Sequence, residues 1–177
     1  RAKPGVDADR GMLQLNTFSY FLHETNLANG LVIDKTAPHW PASIAATGLG
    51  LAGYPVAVER GFITHDAAVK RVLTTLRFFW NSPQGTEPDA TGYRGFYYHF
   101  LDMHTGRRAW QCELSTVDSA ILLAGVLTAS VYFDADTADA QELRRLSGAL
   151  YLRVDGQWAR TDGLTIPQGW KQERGFP

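Results

Sequence analysis

The residues best suited to chemistry are concentrated between positions 94 and 119. Asp102, Glu113 and Asp118 place three carboxyl groups within this short stretch. Glycoside hydrolysis needs a carboxylic acid that protonates the leaving oxygen and a second carboxylate that activates water or attacks the sugar directly. The three acids are therefore the candidate catalytic residues.

Side chains suited to sugar binding occur in the same stretch. Tyr97, His99 and Trp110 lie close to the acids, and Arg94 stands just before them. Flat rings stack on the apolar faces of sugars, and their polar atoms bind hydroxyl groups. Because side chains alternate along a strand, Tyr97 and His99 are expected on one face. We predict that these four residues contact the substrate.

Each candidate also has a purely structural interpretation. Asp118 lies three residues after Ser115 and can complete a helix cap, whereas Asp102 can stabilise a turn through its side chain. Glu113 can form a surface ion pair, and His99 can be a hydrogen-bonded structural histidine. The sequence leaves these alternatives open.

No metal site is expected from the sequence. His99, Asp102 and His104 are clustered, but a strand directs the side chains of His99 and Asp102 to opposite faces. The sequence also has no phosphate-binding loop and no G-x-S-x-G nucleophile motif. We therefore expect a reaction without a metal or other cofactor.

Composition narrows the classes of partner. The chain has 177 residues, with 17 basic and 18 acidic side chains, so neither nucleic acid nor an anionic membrane surface is expected as a partner. Cys112 is the single cysteine, which excludes an intrachain disulfide and a zinc site built on several cysteines. No signal peptide or membrane-spanning segment is recognised, since the apolar run at 119–131 is too short to span a bilayer.

Hydrophobic periodicity predicts five helices. The first covers 9–24, with Met12, Leu15, Phe18 and Leu22 as its buried stripe. The others cover about 41–59, 64–81 and 116–133, and the fifth starts at Thr137. Helices one, three and five are amphipathic, whereas helices two and four are apolar on every side.

That alternation is typical of a toroid of helical hairpins. Its inner helices touch protein on both sides, and its outer helices face water. A globular helical bundle, in which every helix has one wet side, is the alternative. A β-hairpin is also predicted, with strands at 95–102 and 107–114 around a turn at 103–106. It leads directly into the fourth helix and would direct the three acids towards the toroid axis.

Four motifs extend over nearly the whole chain: PASIAATGLGLAGYPVAVERGFI, GFYYHFLDMHTGRR, CELSTVDSAILLAG and GWK. They resemble the bacterial glucoamylase-like family, which includes endo-acting β-1,2-glucanases. A similar aromatic hairpin followed by STVDS occurs in the middle domain of cyclic β-1,2-glucan synthases. The resemblance implies an all-α (α/α)6 toroid with a β-hairpin insertion near 95–114. Residues 1–177 would form a single catalytic domain that covers roughly the first half of this toroid.

The resemblance also implies an activity. It points to a glycoside hydrolase that cleaves a β-glucan internally, with β-1,2-glucan as the expected substrate. Asp102, Glu113 and Asp118 match the acidic positions that face the family's cleft, and Glu113 in CELS favours the glucanases over the synthases. An exo-acting glucoamylase-like glucosidase, a glucan transglycosylase and a non-catalytic half-toroid that binds a glycan or a partner remain alternatives.

The same resemblance suggests where the protein acts and with what. The expected partners are an oligo- or polysaccharide and the remaining half of the toroid, without membrane insertion. The expected location is the periplasm or the exterior of a bacterial cell.

Overall fold

The computed structural model describes residues 4–161 and 163–176, with side chains from residue 9 onwards. Within this part of the chain there are five helices: α1 (Pro4–His23), α2 (Ile44–Glu59), α3 (His65–Asn81), α4 (Thr116–Tyr132) and α5 (Ala138–Leu152). The strands are short: β1 (Ala42–Ser43), β2 (Gly92–Tyr93), β3 (Phe96–Tyr98), β4 (Phe100–Leu101), β5 (Leu114–Ser115) and β6 (Gly169–Trp170). None of the described helices combines the length and apolarity needed to cross a membrane.

The helix starts follow from local capping chemistry. Thr64, Ser115 and Thr137 each accept a hydrogen bond from the backbone N–H three residues later, as does Ser43 before α2. A side-chain oxygen at this position satisfies one of the backbone donors that have no partner inside the helix. The predicted starts of the third, fourth and fifth helices are therefore confirmed.

The two apolar helices are adjacent, as predicted, because glycines let their backbones touch. A Cβ atom at Gly125 would lie 2.0 Å from the carbonyl oxygen of Gly48, and one at Gly48 would lie 2.6 Å from that of Ile121. Only glycine fits such a crossing without separating the helices. Elsewhere in the fold, α3 packs against α5. An ion pair joins these two helices, with 2.6 Å between Nη2 of Arg77 and Oε2 of Glu142.

The prediction that α2 and α4 are covered on every side is wrong for the described chain. Leu49 and Val56 of α2 are exposed, at 57% and 51%, and so are Val117 and Val131 of α4. These residues recur at helical spacing, so each helix presents an apolar stripe to solvent. α1 borders the α2 stripe, because Val56 lines one apolar cavity together with Leu13 and Phe18.

The first helix also differs from its prediction. It begins at Pro4 rather than at Asp9, and Met12 and Leu15 of the expected buried stripe are exposed. Phe18 is buried, and its ring lies over Gly53 in contact with α2. Among the described side chains of α1, the buried contact with α2 therefore comes from the C-terminal half of the helix.

The predicted hairpin is divided at His99. β3 pairs on one side with β2 and on the other with β5, in an antiparallel sheet of order β2-β3-β5-β6. β4 pairs instead with β1, at the start of α2. Of the predicted pairing between 95–102 and 107–114, the structure retains Tyr98 opposite Leu114 and a bridge between Leu101 and Arg108. The N–H of Asp102 also donates to the carbonyl oxygen of Arg107 across the predicted turn. The chain therefore bends where a continuous strand was expected.

Candidate active site

The backbone of His99 is fixed at the junction between the two sheets. Its N–H donates to the carbonyl oxygen of Glu113 at 3.0 Å, and its carbonyl oxygen accepts from the N–H of Ile44 at 3.2 Å. The first bond ties His99 to the segment before β5, and the second ties it to the start of α2. The backbone that carries the imidazole is thus held by two elements that are distant in sequence.

The imidazole lies between two carboxylates. Its Nδ1 lies 2.9 Å from Oε1 of Glu113, and its Nε2 lies 3.5 Å from Oδ2 of Asp118. All three side chains are partly buried. The structure therefore brings together two of the three predicted acids and one predicted substrate contact, and we call this group the His99 trio.

Asp118 reaches the trio from the first turn of α4. Ser115 caps this helix by accepting the N–H of Asp118 at 3.1 Å. The carboxylate of Asp118 is directed to His99 rather than back to the cap, so the capping box does not account for it. A helix N-terminus is a favourable place for a negative charge.

Glu113 lies on the wall of a cavity of about 530 Å³. The other wall residues come from the C-terminal segment, which includes the GWK motif: Gln168, Gly169, Lys171, Arg174, Gly175 and Phe176. A Cβ atom at Gly169 would lie 2.8 Å from Cγ of Glu113, so glycine is needed here for β6 to pair beside Glu113. The cavity gives this acid access to a ligand.

Arg108 orders the loop before Glu113, a role that the sequence analysis missed. Its guanidinium donates to the carbonyl oxygens of Cys112 at 2.7 Å and Gln111 at 3.0 Å, and it pairs with Glu173 at 3.0 Å. The side chain is buried. A buried, multiply bonded arginine fixes loop geometry well because its planar fork has several donors. An arginine within an aromatic segment was the signal available in the sequence.

Trp110 is exposed and belongs to a row of rings that leads to the trio. It contacts Phe100 with a centroid distance of 5.2 Å, and Phe100 stacks on His99 at 3.9 Å with only 14° between the planes. On its other side Trp110 meets Trp40 at 4.7 Å. The role of Trp110 in substrate binding stays a prediction, and Trp40 was not recognised from the sequence.

Tyr97 does not line this site, which corrects the prediction. It is 1% exposed and packs against Phe79, whose carbonyl oxygen accepts its hydroxyl at 3.1 Å. Burial raises the pKa of Tyr97 to about 12. The bend at His99 is the reason, because it breaks the alternation that would have placed the two side chains on one face.

Arg94 likewise stands apart from the trio. It forms an ion pair with Asp155 at 2.7 Å and lies over the rings of Tyr93 and Trp158. These contacts fix the loop after α5. They provide no link between Arg94 and the carboxylates of Glu113 and Asp118, so the predicted contact of Arg94 with substrate lacks support.

Asp102 does not join the other two acids. Its Oδ1 accepts three hydrogen bonds, from the N–H of His104 and from the N–H and hydroxyl of Thr105. These bonds, that of the Thr105 N–H foremost, lower the pKa of Asp102 below its usual range. Of the two interpretations left open by the sequence, turn stabilisation describes its contacts.

The His99 trio also meets a geometric test for metal ligands. One ligand atom from each of His99, Glu113 and Asp118 lies within 4.8 Å of the other two. However, the imidazole directs a different nitrogen to each carboxylate. A shared ion would need one nitrogen and both carboxylates to converge on one point, so the arrangement suits proton sharing better.

Comparisons with known proteins agree with this architecture. No protein-family model matches the sequence. A Parabacteroides distasonis protein named exo β-1,2-glucooligosaccharide sophorohydrolase (non-reducing end) is 27% identical over an alignment of 154 residues, and the match covers 83% of this chain and 20% of that protein.

Solved structures share the fold. A Bacteroides uniformis structure described as a glucoamylase has a TM-score of 0.79 at 24% identity. An endo-β-1,2-glucanase from Chitinophaga pinensis, solved with sophorotriose and glucose, has a TM-score of 0.79 at 18% identity. Each match covers 93% of this chain and 40% of the solved chain. The chain thus spans a fifth to two-fifths of these relatives, and its predicted resemblance to the bacterial glucoamylase-like family is confirmed over most of its length.

Proposed function

We propose that this chain forms part of the active site of a glycoside hydrolase that cleaves β-1,2-glucan internally, with carboxylates as acid and base. The relatives named above for β-1,2-glucan and its oligosaccharides support the substrate. The observation that supports the chemistry is the position of Glu113, on a cavity wall and hydrogen bonded to His99.

The position of the hydrogen between His99 and Glu113 favours Glu113 as the acid. A neutral imidazole has a hydrogen on only one nitrogen. Nδ1 is hydrogen bonded to Glu113 at 2.9 Å, whereas Nε2 lies 3.5 Å from Asp118 in an ion-pair contact, so the shared hydrogen lies between His99 and Glu113. A proton in that position can pass through Glu113 to a leaving oxygen.

The spacing argues that Glu113 and Asp118 do not flank the scissile bond. Their nearest oxygens lie within 4.8 Å and the imidazole stands between them. A retaining pair is about 5–5.5 Å apart and an inverting pair about 6.5–9.5 Å apart, with the sugar between the two groups. We therefore assign Glu113 as donor, with Asp118 as its support through His99. The opposing carboxylate would come from a segment that corresponds to the parts of the relatives that this chain does not match.

The same proposal includes the toroid. The apolar stripes of α2 and α4, with Leu49 and Val131 exposed, are what an inner ring would present before the remaining hairpins close it. A half-toroid of one catalytic domain, completed by its other half in the periplasm or outside the cell, accounts for such stripes. An oligo- or polysaccharide would lie along the axis that they surround.

One specific observation favours a second candidate. The Parabacteroides distasonis relative is named as an exo-acting sophorohydrolase of β-1,2-glucooligosaccharides that acts at the non-reducing end. The products of linear β-1,2-glucan separate the two activities. An endo enzyme yields a ladder of oligosaccharides at early times, whereas an exo enzyme yields one small sugar from the start.

The acid assignment is tested by Glu113→Gln in the full-length protein. Glutamine keeps the size and polarity of the side chain but has no proton to give. Turnover of linear β-1,2-glucan should fall roughly a hundredfold or more. Glu142→Gln is the matched control, because the ion pair of Glu142 with Arg77 joins α5 to α3. Near-normal turnover in a folded Glu113→Gln protein would contradict the assignment of Glu113 as the proton donor.

Asp118→Asn tests the supporting role. Its matched control is Asp66→Asn, since both acids lie in the first turn of a helix but only Asp118 touches His99. We expect lower turnover and a displaced pH profile in Asp118→Asn alone. An unchanged profile would contradict its link to the donor.

A further inference from the structure

A second cavity lies at the other end of the row of rings that starts at His99. Its volume is about 660 Å³, within the range of about 300–1,000 Å³ typical of small-ligand sites. Its walls include Glu24, Asn26, His39, Trp40, Asp102 and Trp110. We call it the Trp40–Trp110 pocket. It combines exposed aromatic surface with several hydrogen-bonding groups.

The aromatic corner of this pocket is pre-organised. Trp40 donates its indole N–H to Asp34 at 3.1 Å, and the ammonium group of Lys35 lies 3.7 Å from its ring centroid. Trp110 meets Trp40 at 78°, so the two rings form a right-angled corner. Trp110 nevertheless keeps 57% of its surface exposed. A large exposed ring held in one orientation is ready to bind a flat apolar surface.

The two walls of the pocket are tied together. Asn26 on one wall and the neighbouring Asn29 both donate to the carbonyl oxygen of Met103 on the other, at 2.7 and 2.9 Å. On the Met103 side, the three hydrogen bonds to Asp102 all use Oδ1, so none of them engages Oδ2. The pocket therefore has a fixed width and polar groups on its walls.

Left-handed backbone also occurs at this pocket. Four described residues other than glycine have positive φ values: His39 at 57°, Arg94 at 52°, Trp110 at 55° and Gln111 at 52°. Such backbone is unfavourable for residues other than glycine and persists where surrounding contacts impose it, often at functional sites. His39 and Trp110 line the Trp40–Trp110 pocket and Gln111 follows Trp110 directly, whereas Arg94 does not line it.

From these observations we propose that the Trp40–Trp110 pocket is a separate sugar subsite, in which a pyranose ring of the glucan stacks in the aromatic corner. The inference rests on the proposed glucan substrate. Ring contacts run from Trp110 through Phe100 to His99, which is hydrogen bonded to Glu113, so the subsite is connected to the acid. Trp40 is the specificity-determining residue of this subsite. The subsite binds a sugar ring other than the one whose leaving oxygen Glu113 protonates.

The test compares Trp40→Ala with wild type in the full-length protein. Trp40→Ala should raise KM for a linear β-1,2-glucooligosaccharide of about eight units roughly tenfold or more, with kcat nearly unchanged. The matched control is Trp80→Ala, because Trp80 lies at the end of α3 against Arg153 and does not line the pocket. An unchanged KM, or a fall in kcat alone, would overturn the subsite.

Equilibrium binding separates this inference from the hydrolase proposal. Calorimetry with the same oligosaccharide should show tight binding to Glu113→Gln and weak binding to Glu113→Gln/Trp40→Ala. Equal binding to both would remove the subsite even if the wild type hydrolyses glucan. Lost binding in the double variant would uphold the subsite even if the wild type releases no sugar.

A second variant guards against misfolding of Trp40→Ala. Trp110→Asn removes the other ring, and asparagine tolerates the left-handed backbone at this position. It should weaken binding by a similar factor while the melting temperature is retained. Unchanged affinity in a folded Trp110→Asn protein would also count against the subsite.

Discussion

Gly125 of α4 packs directly on the main-chain carbonyl of Gly48 in α2, with no side chain between the two helices. Gly125→Ala should therefore force the helices apart and lower the free energy of unfolding by roughly 1–3 kcal/mol. Gly148 is the matched control: it also lies in a helix, but a Cβ atom there would meet nothing within 4 Å. Gly148→Ala should stabilise the protein by up to about 1 kcal/mol. Chemical denaturation measures both, and equal effects would contradict the close crossing.

The neighbouring Tyr97 and Tyr98 provide a second matched pair. Both rings are buried, but the Tyr97 hydroxyl donates to the Phe79 carbonyl, whereas the Tyr98 hydroxyl has no hydrogen-bond partner within residues 4–161 and 163–176. Tyr97→Phe should lower the free energy of unfolding by roughly 1 kcal/mol. Tyr98→Phe should be neutral or slightly stabilising. Thermal unfolding of the two variants tests this, and the reverse order would show that the hydroxyl environments are misassigned.

Arg108 should be more important for the site than its exposed neighbour. Arg108→Met leaves the carbonyl oxygens of Cys112 and Gln111 without their donor, at a cost of roughly 1–3 kcal/mol. The loop that holds Glu113 should loosen, so glucan turnover should fall further than stability alone explains. Arg107→Met is the control, because Arg107 makes only a long surface contact with Asp89 at 3.7 Å. Similar losses in both variants would deny Arg108 its positioning role.

Asp102 should contribute stability in a pH-dependent way. Hydrogen bonds lower its pKa in the folded protein, so its contribution is fully present above the unfolded pKa of about 4 and is lost as the pH falls through the lower folded value. Asp102→Ala should therefore lower the free energy of unfolding by roughly 1 kcal/mol at pH 7. The gap to wild type should close below pH 4. Urea titrations at pH 7 and pH 3 measure it, and a gap that widens in acid would reverse the sign of this argument.

Local chemistry made most of the helices predictable. Thr64, Ser115 and Thr137 each begin a helix because a cap depends on a few consecutive residues. The apolar character of α2 and α4 likewise identified two adjacent helices. What periodicity did not reveal was how much of each helix the described chain covers, since an apolar stripe is the same whether its partner is present or not.

The site was predictable only in part. Glu113, Asp118 and His99 meet as the sequence suggested, because β5 leads directly into α4. Tyr97 was misplaced because the bend at His99 depends on pairing with β1, which lies more than fifty residues earlier. Trp40 was missed for a related reason: only the folded chain brings its loop against Trp110.

The double anchoring of the His99 backbone separates what this fold can change from what it must keep. His99 is held by Ile44 and Glu113 at the ends of regular elements, whereas the two tryptophan rings stand on loops at 33–41 and 103–111. Loops accept new sequences and lengths more readily than the elements they join. Libraries confined to these two loops, with Arg108 kept, should therefore yield variants with altered chain-length or linkage preference and an intact proton donor. In protein engineering, the anchored proton donor can therefore stay constant while the loops that carry the two tryptophan rings are varied.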